Sequence, residues 1–197
     1  MANNLSEIKR LKDLTGVGLT EAKKALEESR GDFDKALELM RRRGLTKAEK
    51  RSERETREGM VGTYNHDNRI GVVVEVNCET DFVARNEIFQ NLVKDISMQI
   101  VATDPEYISI NDVPKEARDK ILDELTENAK REKKPENMIP KIVENQLNKY
   151  FLDKCLLSQS FIKDPKITIE DLLKEQIAKL GENIVIKRFY RVSLGMN

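Results

Sequence analysis

The feature that most constrains this chain is a change of period between Ile70 and Asn91, in IGVVVEVNCETDFVARNEIFQN. The first half alternates, with Ile70, Val72, Val74 and Val76 interleaved with Gly71, Val73, Glu75 and Asn77. Branched side chains at every second position suit a pleated, half-buried strand. The second half repeats at helical spacing through Ile88, Phe89, Leu92, Val93, Ile96 and Ile100, which predicts a helix capped by Asn86. Between the two lies Thr80-Asp81-Phe82-Val83, a carboxylate and a large aromatic at the exit of a strand. Two roles are open to this pair. A strand end is a rigid place from which to present side chains to a partner; alternatively, Phe82 plugs the local core and Asp81 helps cap the helix.

Upstream of this stretch, residues 5 to 44 read as three helices. Leu5, Ile8, Leu11 and Leu14 mark the first, and Thr15-Gly16-Val17-Gly18-Leu19 breaks it. Thr20 is the expected cap of a second helix carrying Ala22, Ala25 and Leu26. Asp32 is that of a third, with Phe33, Ala36, Leu37 and Met40 inside and Gly44 as its terminator. Three helices in about 40 residues with a glycine-flanked apolar loop resemble the ubiquitin-associated fold. A domain this small is marginal. Val17 and Leu19 therefore either close the bundle or stay partly outside its core.

The next segment, Leu45 to Glu58, is nearly devoid of apolar residues and reads as a solvated linker. From Arg41 to Arg57 eight basic residues face three acidic ones, which makes an RNA contact conceivable, but no aromatic is interleaved for stacking. Met60 to Tyr64 and Arg69 to Val76 read as a hairpin turned at His66-Asp67-Asn68. Farther on, Tyr107 to Ile110 is predicted as a short strand. Helices follow from about Lys115, along Ala117, Ile121, Leu122 and Leu125, and along Met138, Ile142, Val143, Gln146, Leu147 and Tyr150. These two are expected to pack antiparallel. After the ambiguous apolar stretch Phe151 to Phe161, a helix over Leu172, Leu173, Ile177 and Leu180 ends at Gly181. Ile184 to Leu194 closes the chain as a strand, with Ile184, Ile186, Arg188, Tyr190 and Val192 on one face.

The fold class is therefore α+β: a three-helix ubiquitin-associated-like domain over 1–44, a charged linker over 45–58, and a core over 59–197 with a small antiparallel sheet packed by helices. Thirty-five basic side chains balance 35 acidic ones, which argues against a dedicated nucleic-acid binder. There is no apolar run near the roughly 18 residues that span a bilayer, and MANNLSEIKR lacks the apolar core of a signal peptide, so the chain reads as cytoplasmic with no membrane partner. Cys78 and Cys155 make neither a disulfide framework nor a metal site. His66, the one histidine, has no partner that would make it a general base or a metal ligand. No phosphate-binding glycine loop or nucleophile–histidine spacing is present. The chain reads as a regulator of an enzyme, not an enzyme, with no catalytic residue, cofactor or metal of its own.

NCETDFVARNEIF resembles the signature of the bacterial translation elongation factor Ts family, the nucleotide-exchange factors of the GTPase elongation factor Tu. LTGVGLTEAKKAL is close to the pattern with which that family begins, and YNHDNRIG and GENIVIKRFYR are similar to further segments of it, so the resemblance runs end to end. It implies that Thr80, Asp81, Phe82 and Val83 form the surface that dislodges the Mg²⁺ of elongation factor Tu. It also implies that Val17, Leu19, Lys23 and His66 are secondary partner contacts. Longer members carry two related core halves; this chain has one, like the short form, which implies a homodimer. The apolar crowd Phe151, Leu152, Cys155, Leu156 and Leu157 offers a surface for it, with Cys155 near the axis. The alternatives are a ubiquitin-associated-like binding module and an RNA-binding translation accessory protein.

Overall fold

The computed structural model describes residues 5 to 195, with side chains throughout except at 45–47 and 49; the outermost ends of the two expected domains lie outside the described residues. The architecture is α+β and divides into two compact units. One runs up to Met98 and resumes at Glu170; the other is Gln99–Ile169.

The first unit begins with α1 (Leu5–Thr15), α2 (Leu19–Glu28) and α3 (Phe33–Glu49). Ile8, Leu11, Ala22, Ala25, Leu26, Ala36 and Met40 form their common core, with Val17, Phe33 and Leu37 packed against it. Leu5 and Leu14 stay exposed. A spacing of three turns each residue about 60° around a 3.6-residue helix, so only the central pair of that series faces inward. The cap of α2 is Gly18, not Thr20. Asp32 caps α3 as expected, its Oδ1 accepting the Lys35 N–H at 3.1 Å. Gly44 does not terminate α3, which continues to Glu49. A Cβ at position 44 would sit 3.2 Å from the Cβ of Ala178 in α8 (Ile169–Leu180), so that glycine serves close approach of two helices.

The sheet of this unit has the order β1 (Glu58–His66), β2 (Ile70–Cys78), β5 (Ile184–Ser193), antiparallel throughout. Asp67 (φ 51°) and Asn68 (φ 56°) make the two left-handed residues of the β1–β2 turn, a conformation these short polar side chains tolerate. Val72, Val74, Val76 and Cys78 are buried on one face of β2, whereas Val73 is exposed on the other. α5 (Glu87–Thr103) lies over the buried face: a Cβ on Gly62 would fall 2.4 Å from Val93 Cγ1 and 3.0 Å from Ser97 Oγ. Phe89, Leu92, Val93 and Ile96 of α5 are buried, and Asn86 Oδ1 accepts the Ile88 N–H at 2.8 Å.

β5 does not keep one face. Its register with β2 shifts between Glu75 and Val76, so that Glu75 opposes Arg188 but Val76 opposes Ile186. The extra residue, Lys187, reverses the alternation. Ile184 and Ile186 are buried with Val76 and Cys78, whereas Tyr190 and Val192 pair with Val73 and Gly71 and are exposed on the opposite face.

The second unit is built on α6 (Lys115–Arg131) and α7 (Ile139–Lys154), which pack antiparallel: Leu125 and Ala129 meet Ile139 and Val143. The buried row of α7 is Ile139, Val143, Leu147 and Phe151; Val143 and Leu147 belong to the expected row, whereas Met138 and Tyr150, at its two ends, are exposed and Ile139 and Phe151 are buried in their place. Tyr107 makes a single bridge to Cys155 and Ile110–Asp112 is a 3-10 turn, so the expected strand at 107–110 does not form. β3 (Ser160–Phe161) and β4 (Asp164–Thr168) make a short hairpin. Leu147, Phe151 and Cys155 pack with Tyr107, Ile110, Val113 and Ile121, and Leu156 is fully buried. Of the apolar crowd at 151–157, Phe151, Cys155 and Leu156 are thus core, whereas Leu157 is half-buried and Leu152 is exposed. With Cys155 buried, little of that crowd is left on the surface.

Candidate functional site

β2 delivers the chain to Glu79 and Thr80, and Thr80 caps a one-turn helix, α4 (Asp81–Ala84). Thr80 is extended (φ −129°, ψ 157°), and its hydroxyl oxygen accepts the Val83 N–H at 3.5 Å. The cap is Thr80, not Asp81. The Asp81 carboxylate instead pairs with Arg85 Nη2, one turn on, at 3.1 Å, on an exposed surface where such a pair is held weakly and easily exchanged.

Phe82 is 81% exposed, and no residue of α4 is buried. The core-plug role is therefore wrong. Phe82 therefore stands outside the core, on a hydrogen-bonded turn, with its ring open to solvent.

Behind the turn is a joint with no local sequence signature. Glu182 Oε2 accepts the N–H groups of Glu79 (3.1 Å) and Thr80 (3.0 Å), and its Oε1 accepts the Thr80 hydroxyl at 2.6 Å. Glu79 reciprocates, its Oε1 accepting the Asn183 N–H at 2.6 Å and lying 3.4 Å from Arg54 Nη1. Asn183, 2% exposed, donates from Nδ2 to the carbonyls of Ser52 (3.2 Å) and Arg54 (2.8 Å), which fixes the end of the segment expected to be a solvated linker. The Cys78 thiol donates to the Thr80 carbonyl at 3.1 Å; burial, with the Glu182 charge nearby, pushes that thiol up to about 11.

The secondary candidates are spread out. His66 closes β1 at the end opposite Cys78 in the β1–β2 register, roughly 27 Å away at about 3.4 Å per residue. It is exposed, 3.7 Å from the Asp67 carboxylate and 6.2 Å ring to ring from Tyr64. Val17 is half-buried against the three-helix core. Leu19 is about half exposed, and Lys23, one turn on along α2, pairs loosely with Glu27 at 3.9 Å. The structure does not bring His66 and Phe82 together. Among the described residues no group of three or more histidine, cysteine, aspartate or glutamate side chains is placed to hold a metal ion, and no helix is long and apolar enough to cross a membrane.

The family model for "Elongation factor TS" matches residues 4–196. The elongation factor Ts of Thermodesulfovibrio yellowstonii is 48% identical over 195 residues, covering 99% of this chain and 98% of that one. The elongation factor Ts of Caldanaerobacter subterraneus subsp. tengcongensis is 51% identical over 189 residues, with 95% and 94% covered. That of Carboxydothermus hydrogenoformans is 50% identical over 189 residues, with 95% and 87% covered. A match of this identity from one end to the other, over a fold that turns its strand–helix junction outward at Asp81-Phe82, shows that the chain belongs to the elongation factor Ts family of translation elongation factors.

Proposed function

We propose that this protein is the guanine-nucleotide exchange factor of elongation factor Tu, acting through Phe82 and Asp81. The observation that carries this reading is the exposure of Phe82 on a helix none of whose residues is fully buried. A GTPase holds GDP together with a Mg²⁺ ion that demands near-ideal oxygen coordination. A phenyl ring driven between packed elements of the GTPase displaces the groups that support that ion. Burying one phenylalanine is worth roughly 1.5–3 kcal/mol, and about 1.4 kcal/mol is a tenfold change in an equilibrium. Phe82 alone thus weakens GDP by about one to two powers of ten, and the rest of the interface supplies the remainder. Asp81 exchanges its surface partner Arg85 for hydrogen-bond donors that the displaced groups release; it does not ligate the ion. Leu19, Lys23 and His66, all exposed, extend the contact, with Val17 half-buried against the three-helix core nearby in the chain.

The test is GDP release from elongation factor Tu, followed with a fluorescent nucleotide. Coupling between two ligands is reciprocal, so saturating GDP with Mg²⁺ must weaken the protein's binding by the factor by which the protein weakens GDP. A tight complex indifferent to GDP and Mg²⁺ would sink the reading. The RNA-binding alternative has less support, because five of the six arginines in that stretch face carboxylates: Arg41 with Glu175, Arg42 with Glu38, Arg43 with Glu28, Arg54 with Glu79 and Arg57 with Glu55.

The same reading includes a homodimer, on a different surface from the one the sequence suggested. The face of the sheet opposite α5 carries Val61, Val73, Tyr190 and Val192, all exposed. The charges on its β2–β5 pairing, Glu75 and Arg188, neutralise each other at 2.7 Å. A neutral apolar face meets a copy of itself without like-charge repulsion, as a two-fold contact requires.

A further inference from the structure

We propose that Glu182 is the positioning residue for Phe82: its carboxylate, across the strand ends, sets the direction in which the exposed ring is presented. This rests on the exchange reading above and names the group behind the wedge.

β2 and β5 are antiparallel, and their last registered pair is Cys78 with Ile184. The chain leaving β2 therefore runs beside the chain arriving at β5, and residues 79–80 meet residues 182–183 just outside the sheet. Gly181 (φ +82°) ends α8 in the left-handed conformation that a side chain resists, and so turns Glu182 into this position. Three donors then converge on one carboxylate: the N–H groups of Glu79 and Thr80 on Oε2, and the Thr80 hydroxyl on Oε1.

No residue of α4 is fully buried, and only Asp81, Val83 and Ala84 are half-buried, so packing alone fixes this one-turn helix weakly. Hydrogen bonds hold it further, and they converge on Thr80. Its N–H and O–H go to Glu182, its hydroxyl oxygen takes the Val83 N–H, and its carbonyl takes the Cys78 thiol and the Ala84 N–H (3.2 Å). Charge-assisted bonds to an ionised acceptor are the strong members of such a set. A carboxylate suits the position because all its partners are donors. A glutamine of the same shape keeps the two N–H groups on its carbonyl oxygen only by turning its N–H₂ to the Thr80 hydroxyl, which must then accept instead of donate, and every bond of the set loses its charge assistance. The reciprocal Glu79–Asn183 bond, and the grip of Asn183 on Ser52 and Arg54, stiffen the joint from its other side.

The test uses the full-length protein and fluorescent GDP on elongation factor Tu, comparing wild type, Glu182→Gln, Phe82→Ala and the double variant. If Glu182 acts through Phe82, Glu182→Gln lowers the saturating release rate by about tenfold and changes the half-saturating concentration little. The double variant is then no slower than Phe82→Ala. Amide hydrogen exchange supplies a readout independent of the GTPase: Glu79 and Thr80 exchange faster in Glu182→Gln, while Val74 and Val76 in β2 stay protected. Additive losses in the double variant, or β2 protection falling along with Glu79 and Thr80, would overturn the proposal in favour of a purely structural role. So would an unchanged release rate in Glu182→Gln beside a reduced one in Phe82→Ala. If wild type itself leaves GDP release unchanged, the exchange reading has failed, and the positioning proposal, which rests on it, falls with it even where Glu79 and Thr80 lose protection.

Discussion

At Thr80 all the backbone and side-chain polar groups are engaged, and two residues later Phe82 is left 81% exposed. That contrast separates stability from activity in a mutant series. Phe82→Ala removes little buried surface, so its thermal midpoint should match wild type, where a core phenylalanine would cost about 3–5 kcal/mol. Its GDP-release activity should fall about tenfold or more. A midpoint that drops in step with activity would show that Phe82 packs inside. Asp81→Ala should be milder in both respects, since only the exposed pair with Arg85 is lost within the chain. Cys78 gives a prediction in pH. Its folded thiol titrates at about 11 against an ordinary 9.0, so the folded chain keeps a proton that the unfolded chain releases above pH 9. The stability this contributes is complete below pH 9 and drains away as pH rises toward 11, by up to ~1.4 kcal/mol per pH unit. Urea melts at pH 8 to 10.5 should steepen in wild type relative to Cys78→Val, which has no thiol to ionise; parallel pH dependences would rule the effect out.

Among the elements, legibility followed the strength of the local pattern. The alternation over Ile70–Val76 and the helical row from Ile88 to Ile100 survive into β2 and α5, because each buries a single face against a layer beside it. Patterns with two nearly equivalent solutions are ambiguous at their ends. In α7 Val143 and Leu147 are buried as their spacing predicts, but Met138 and Ile139, and Tyr150 and Phe151, are adjacent apolar pairs, and packing against Leu125 and Ala129 of α6 favours Ile139 over Met138. Gly44 carries a stop signal by propensity, worth about 1 kcal/mol, but contact with α8 outweighs it. The bulge at Lys187 leaves no mark in a run that alternates on both sides of it. The Asp81-Phe82 turn was legible because its residues are contiguous. Glu182 lies 102 residues from Thr80 and only strand pairing brings it there. The close approach of α5 to β1 is testable at Gly62, whose φ is unexceptional, so the restriction is one of space. Gly62→Ala should cost about 1–3 kcal/mol in urea unfolding with an unchanged m-value, and Val93→Ala in the same chain should restore part of it by vacating the atom 2.4 Å from the new Cβ. Two independent, summed losses would mean that the pair does not collide.

For the whole molecule the open surface is the outer face of the sheet. α5 covers one side; the other presents Val61, Val73, Tyr190 and Val192, with Val192 71% exposed. An antiparallel sheet tolerates one solvated face, but an apolar one marks a contact surface, and covering it with its own copy needs no further element. A two-fold axis places every substitution in the contact twice, so one introduced charge per chain brings like charges together across the axis. Val192→Glu should therefore convert a dimer into a species of 22.7 kDa with Phe82, on a different element, still exposed. Sedimentation over a range of concentrations reads this directly. Wild type should run at twice the chain mass into the low micromolar range, as expected for an interface of roughly 1,200–2,000 Å². A wild-type chain that remains at 22.7 kDa into roughly the tens of micromolar would refute the pairing. GDP-release activity of Val192→Glu, compared at equal chain concentration, then tells whether one copy suffices: a monomer at full activity assigns the second copy to stability, and a folded but inactive monomer assigns it to the contact with elongation factor Tu.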